Sequence, residues 1–422
     1  LFIDNKKYID GTLIHRALMK NQSLNPLTVI LLIAAMPLAA ASLDMFLPAL
    51  PAMVKEFGTD PATIQISLSL NIIGSGIFGF ASGILSDQFG RRKLFVSSMF
   101  AFAFVTFACS LSTNVVIFSI LRTLQGAASG VIFVMVSAIL SDAYTGVKKA
   151  QVLGISTLLF PIALGIAPFL GEWIYHHYGW TATFQSLSFL LLLTSILLFV
   201  LLPETKEQES TAFSFKKVAK EAKHILCTPA FLVNSLIPAV FMGAFMGFVA
   251  YSPFIYMVFF KLSSKNYVYY FIAPMIFQFI SGLLYQAIVR IFGRNTMLTI
   301  GVSGASCALV IILGMQLEII PLAPIYVMAS MAFYAASIPF VLPTVMAKAF
   351  ESFPLKAGTI SSLASVIRNT LMAGYIYSVG CVFNYTPMPI LGALALGIVL
   401  FICLSIYSLK LSTKQQSLQP TP

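Results

Sequence analysis

The sequence predicts an all-α membrane protein, with twelve transmembrane helices in two pseudo-symmetric six-helix halves. Three observations carry that prediction. The 422 residues are 59% hydrophobic and 9% charged, with a mean hydropathy of +0.92, whereas soluble domains carry about 25% charged residues. Apolar stretches of about 20 residues recur along the chain, the length that roughly 30 Å of hydrocarbon requires of a helix. Short echoes also recur at a near-constant spacing. Phe89-Gly90-Arg91 returns as Phe292-Gly293-Arg294, and the stretch from Gly154 to Leu158 returns between Gly358 and Leu363. A membrane barrel needs strands of about ten residues alternating in polarity, and no such alternation is present.

The twelve spans fall at about residues 27–50, 62–85, 94–111, 115–140, 150–171, 182–202, 230–257, 267–289, 296–316, 322–346, 357–380 and 390–409. Spans 7 and 10 contain Pro238, Pro253, Pro339 and Pro343, which kink membrane helices and leave carbonyls for neighbours to satisfy. The longest polar stretch inside the chain, 203–229, divides the first half (27–202) from the second (230–409). Its lysine-rich segment, Phe213 to Ile225, is expected to lie on the inner membrane surface against anionic lipid. Segments 1–26 and 410–422 flank the spans. The chain opens on Leu1, and Met19-Lys20-Asn21 stands just before the first span. Residues 1–18 have no apolar signal-peptide core and are expected to be a leader outside the working protein.

The net charge of +11 is read as topology. Twenty of the 25 Lys and Arg residues fall in alternate loops and the two termini, against Lys55, Lys261 and Lys265 on the other side. Positive loops face the cytoplasm, so both termini are expected there, and no nucleic-acid partner is implied. The five cysteines (Cys109, Cys227, Cys307, Cys381, Cys403) show no CxxC pair and are expected to be small buried hydrophobes. The pair His176-His177 cannot supply a metal ligand set alone. There is no Gly-x4-Gly-Lys-Ser/Thr phosphate loop, no metal-ligand cluster and no nucleophile triad. An enzyme, an ATP-driven pump and a resident metal or cofactor are therefore not expected.

The gap between spans 2 and 3 carries Gly83, Asp87, Gly90, Arg91, Arg92 and Lys93. Gly83 allows close helix approach and Gly90 a sharp turn. Asp87 can accept from the first amides of span 3 or from an arginine, and the three bases anchor the loop. This run resembles the loop between helices 2 and 3 of major facilitator superfamily transporters. The resemblance implies a two-half transporter fold in which this loop latches the halves on the cytoplasmic side.

A second constellation, Arg122-Thr123-Leu124-Gln125-Gly126 in span 4, is similar to the superfamily's helix-4 motif, where an arginine stands near a proton-carrying acid. A mid-membrane arginine costs roughly 2.5–3.5 kcal/mol on insertion scales, so it turns inward and pairs. Asp44 is the only acid well inside a span. Counting from the helix ends puts Arg122 about 12 Å deep and Asp44 about 9–14 Å deep, on one level.

The stretch from Leu43 to Pro51, with Leu202-Pro203-Glu204-Thr205 and Leu342-Pro343, resembles the twelve-helix drug:proton antiporters, the Bcr/CflA group in particular, with MdfA-type relatives close by. That resemblance covers about residues 26–410. The sequence departs from the group's pattern in helix 5, where Gly165, Pro168 and Gly171 remain but Ala167 and Glu172 replace glycines. It departs again at Arg368-Asn369 in span 11, about 16 Å from the inner end, where a neutral polar residue is expected. Arg368 can counter an anionic substrate, pair with a carboxylate, or serve as a snorkelling structural arginine. Asn369, Gln65, Asn71, Gln125 and Gln278 are the other candidate cavity-lining groups.

The resemblance implies proton-coupled export of small amphipathic compounds, a bacterial inner-membrane location and monomeric action, with no cofactor beyond the proton gradient. Substrate, protons and membrane lipid are the expected partners. One charge crossing 100 mV supplies about 2.3 kcal/mol, enough for a concentration ratio of roughly 50. A specific metabolite or siderophore transporter, in either direction, is the alternative. A transporter-like sensor needs a signalling domain, and the 203–229 and 410–422 segments are too short to hold one.

Overall fold

A computed structural model describes residues 24–205, 225–351 and 357–417. Residues 1–18, read above as a leader, most of the basic linker segment and the end of the tail lie outside the described residues. Helix α1 is Pro26–Asp44, followed by a 3-10 turn, Leu47–Ala49, and α2, Leu50–Glu56; together these form span 1. Spans 2 to 6 are α3 (Pro61–Phe89), α4 (Arg91–Ser110), α5 (Val115–Ala143), α6 (Gly146–Tyr178) and α7 (Trp180–Leu201). Span 7 is α8 (Pro229–Pro253), continued by a π-turn at Phe254–Phe259. Spans 8 and 9 run together as α9 (Ser264–Gln316), and α10 (Pro324–Glu351), α11 (Ala357–Val382) and α12 (Pro387–Ser417) complete the second half.

Among the described residues, nine helical stretches are long and apolar enough to cross a membrane, α9 counting once. Span 11 is not among them, because Ser361, Ser362, Ser365, Arg368, Asn369 and Thr370 lower the hydropathy of α11. Span 5 is the other omission, and several side chains in the middle of α6 lie outside the described set.

Local chemistry explains where helices start. Asn25, Asp60, Asn114 and Ser263 cap α1, α3, α5 and α9, each side chain accepting from a first-turn amide, and so satisfying orphan donors. Pro26 and Pro61 follow two of these caps at the first helical position, where the missing N–H costs nothing. Gly90 turns between α3 and α4 at φ 87°, ψ 153°. Gly293 turns inside α9 at φ 73°, ψ 168°. The sequence echo thus marks one backbone conformation used at equivalent places in both halves, and a side chain is strained at either.

Two seams join the halves, α3 against α11 and α6 against α9. The loop bearing Gly90 marks the basic end of the molecule. At the opposite end a single apolar cluster runs across both halves, from Phe46, Leu50 and Trp180 to Tyr251, Phe254 and Tyr267. The cluster of α1, α4, α5 and α7 belongs to the first half alone. The molecule is therefore closed at the far end. Of the cysteines only Cys109 is buried; Cys227, Cys307, Cys381 and Cys403 are exposed, contrary to expectation. Cys307, Cys381 and Cys403 stand on outward helix faces, which are apolar in a membrane protein because the solvent there is lipid.

Candidate functional site

Asp44 ends α1 because Pro48 follows four residues later. A proline lacks the N–H that would bond the carbonyl at i−4, and its ring collides with that carbonyl. The helix therefore breaks at the acid: the Met45 amide still reaches the Ala41 carbonyl at 2.9 Å, and a 3-10 turn follows. Asp44 is buried at the break. Gly171 of α6 lies on the same spot, where a Cβ would overlap the Met45 carbonyl oxygen. Here the retained helix-5 glycine lets α6 pack on the interrupted span.

Arg122 reaches this break from α5 and is completely buried. Its Nη1 donates to the Ser42 carbonyl at 2.8 Å and to Gln125 Oε1. Its Cζ lies 4.7 Å from the Phe46 ring centroid, a cation–π contact. It thus touches residues two before and two after Asp44, on the shared level that helix depth predicts. It does not form the expected ion pair in this conformation, since no Arg122–Asp44 N–O distance falls within 4.0 Å. Arg122 Nε and Nη2 are buried without hydrogen-bond partners. The regular helix ends at the acid, and the Ser42 carbonyl meets the guanidinium instead.

The supporting network belongs to the first half. Gln125 Nε2 donates to Thr106 Oγ1 at 2.8 Å. Asn71 Nδ2 donates to the Arg122 carbonyl at 2.9 Å and to Gln125 Oε1 at 3.3 Å. A Cβ on Gly126 would overlap the Asn71 carbonyl, so α3 and α5 meet backbone to backbone. Asn71 and Gln125 thus orient the arginine here. The second half contributes Tyr267, close enough to Asp44 to interact electrostatically and hydrogen-bonded through its hydroxyl to Ser252 Oγ at 3.0 Å.

The other candidates scatter. Gln65 Nε2 donates across the seam to the Ala250 carbonyl of α8, leaving its buried Oε1 without a partner. Gln278 is half-buried on α9, its Oε1 also unpartnered. Asn369 packs against Gly76 of α3, and Arg368 is half-buried beside it. Between α6 and α9, a groove of about 260 Å³ is lined by apolar residues including Ile166, Phe169, Ile272 and Met275, with Gly165 at its edge. Pro168 is buried.

At the basic end the loop is tied differently from expectation. The first amides of α4 are taken by Glu204, which accepts from Arg91 N at 3.0 Å and from Arg92 N at 3.3 Å. Asp87's side chain lies outside the described set. Arg91 pairs with Asp142 at the end of α5, and Arg92 Nη2 donates to the Phe199 carbonyl at 2.7 Å. These partners all belong to the first half, so among the described contacts the loop staples α4 to α5 and α7 and does not bridge the halves. Lys93 is exposed. Among the described residues, a Cβ on Gly83 would meet nothing within 4 Å, so no close helix approach at this glycine is seen there.

Sequence reasoning missed the hold of Glu204 on the first amides of α4, the place of Tyr267, and the far-end bond in which Ser264 Oγ donates to Glu172 Oε1 at 2.8 Å. Glu172 was visible as a departure from a motif. The other two are contacts between segments distant in sequence.

The Major Facilitator Superfamily profile matches residues 32–377. A bicyclomycin resistance protein homolog of Haemophilus influenzae is 25% identical over 329 residues, covering 77% of this chain and 81% of that protein. The multidrug resistance protein MdtL of a Shewanella strain is 23% identical over 370 residues, covering 88% and 92%. Among solved structures, the nucleoside transporter NupG matches with a TM-score of 0.72 at 13% identity, covering 90% of this chain and 99% of that one. A D-xylose-proton symporter matches with a TM-score of 0.69 at 16% identity, covering 91% and 97%. These structural likenesses speak to the fold.

Proposed function

The chain belongs to the major facilitator superfamily, a family of transporters and not of enzymes, and we propose that it exports small amphipathic compounds in exchange for protons. It works by alternating access in a bacterial cytoplasmic membrane, as a monomer with both termini inside and no cofactor beyond the proton gradient. The observation that carries this reading is Asp44: a carboxyl buried at a helix break, beside an arginine that is not paired with it. Broken membrane helices are where secondary transporters put ion and substrate sites. The names of the relatives, resistance proteins for bicyclomycin and for multiple drugs, support the substrate class.

Asp44 holds the proton. Burial disfavours its charged form and a nearby guanidinium favours it, so a change in their separation changes proton occupancy. The two unpartnered nitrogens of Arg122 are free to take the carboxylate in another conformation. In the far-end-closed conformation the turn that follows the acid, Leu47–Ala49, packs against α8 and α9 of the second half. When that end opens, protons enter from outside, and the loaded acid permits the carrier to return after releasing its substrate. Gln125, Asn71 and Thr106 hold Arg122 in register through that cycle.

Purified protein in liposomes with an imposed pH gradient tests the reading. Substrate should accumulate against its gradient only while protons flow the other way, and a protonophore should abolish accumulation. Accumulation that survives the protonophore would overturn proton coupling.

A further inference from the structure

Arg368 has no part in the proton site, and among the described residues it has no countercharge. It stands near the middle of α11, about 16 Å from the Ala357 end. The hydrogen bond it makes is a 3.5 Å contact of Nη2 with Ser365 Oγ, one turn earlier on its own helix, at the outer limit of useful geometry. Among the described residues no carboxylate oxygen lies within 4.0 Å of it. Asp44 is the only acid well inside a span, and it belongs with Arg122. The spans therefore carry one positive charge in excess. An unpaired guanidinium at this depth is unfavourable, and intramembrane charges mark substrate and ion paths.

Its position fits a path. Arg368 lies on the stretch of α11 that meets the first half: the next residue, Asn369, packs on Gly76 of α3, while Arg368 shares its helix stripe with Met372, Tyr375 and Val379, which pack on Gly243 and Gly247 of α8. One turn farther from the basic end, Ser69 Oγ donates to the Ala373 carbonyl across the seam at 3.2 Å. Beyond that, Gln65 bonds the Ala250 carbonyl and a Cβ on Gly380 would collide with the Tyr251 hydroxyl. The seam is sealed from Ser69 outward, and Arg368 stands on the basic side of the seal.

We propose that Arg368, with Ser365 and Asn369 beside it, is an anion subsite on the path between the halves, and that substrates carry a single carboxylate or sulfonate on an apolar frame. This rests on the transporter reading above and names its substrate class. A guanidinium offers a planar fork that matches such groups bidentately. The serine hydroxyl and asparagine amide are further donors on the same stretch of helix.

The test is equilibrium binding of three ring-matched probes to the purified full-length protein: 2-naphthoate, neutral 2-naphthamide and 2-naphthylmethylammonium. The wild type should bind naphthoate at least tenfold more tightly than the ammonium. Arg368→Gln should lower naphthoate affinity at least tenfold relative to naphthamide, and Arg368→Lys should restore part of the anion preference. No anion preference in the wild type overturns the proposal, whether or not the glutamine variant folds. So does an equal loss for all three probes in a monodisperse variant, which is the signature of a structural, snorkelling arginine. Proton-driven transport is measured separately: its presence alongside charge-blind binding sinks the subsite alone, whereas its absence sinks the antiport reading and leaves the binding result standing.

Discussion

The bond between Glu172 and Ser264 joins the two halves at the far end, and breaking it should shift the balance between closed and open conformations. Ser264 is the first residue of α9 and donates its hydroxyl to Glu172 Oε1 at 2.8 Å. A hydrogen bond to a charged group contributes about 1.5–3 kcal/mol, and a carboxylate at a helix N-terminus gains about 0.3–1 kcal/mol. Both groups are half-buried, so solvent screening brings the pair's coupling to about 1 kcal/mol. That corresponds to about a fivefold change in the closed-to-open ratio. The assay is a double-mutant cycle read by pulsed electron spin resonance, with spin labels near the far ends of α6 and α9. Glu172→Ala and Ser264→Ala should each lower the closed-to-open ratio about fivefold, and the double variant should lower it no further. Single effects that multiply, giving roughly 25-fold in the double variant, would refute the coupling.

Two further outcomes follow from local geometry. Gly90→Ala combines a residue at φ 87° with a Cβ driven into Glu204 Oε2. It should cost about 1–2 kcal/mol, read as a lower melting temperature; an unchanged melt would contradict the strained turn. Asp60→Ala removes the cap of α3, where Asp60 accepts from Thr63 N at 2.9 Å and Thr63 Oγ1 at 2.6 Å, and should cost about 1 kcal/mol at neutral pH. The Thr63 hydroxyl and then the local amides hold the Asp60 carboxyl below its ordinary value of 3.8. Its stabilisation is thus fully present above that value and is lost as pH falls through the lowered one. The melting difference between wild type and variant should close on acidification, and a difference constant with pH would refute the cap's ionic character.

Much of the architecture was legible because hydropathy and turn chemistry act locally. The spans follow from apolar length, and the shared turn of Gly90 and Gly293 from a repeated Phe-Gly-Arg. The common level of Asp44 and Arg122 follows from helix rise. The break at Asp44 was also within reach, since Pro48 stands four residues on. What stayed hidden depends on which faces of distant helices meet. Hydropathy carries no register, so it could not tell that Glu204 caps α4, or that Gln65 spends its amide on the Ala250 carbonyl. Nor does apolar composition separate lipid-facing positions from core, which is why Cys307 and Cys403 read as buried and are exposed.

Proton exchange at Asp44 is best measured directly, by counting protons exchanged when the transported substrate binds purified protein in weakly buffered solution. Wild type should exchange about one proton per substrate bound, because the two ligands bias one conformational equilibrium. Asp44→Asn keeps the shape and hydrogen-bonding capacity of the side chain and removes the titrating group. It should still bind substrate, exchange no proton, and lose pH-driven accumulation in liposomes. An Asp44→Asn protein that exchanges protons as the wild type does, or accumulates substrate with an imposed pH gradient, would show that the coupling acid is not Asp44.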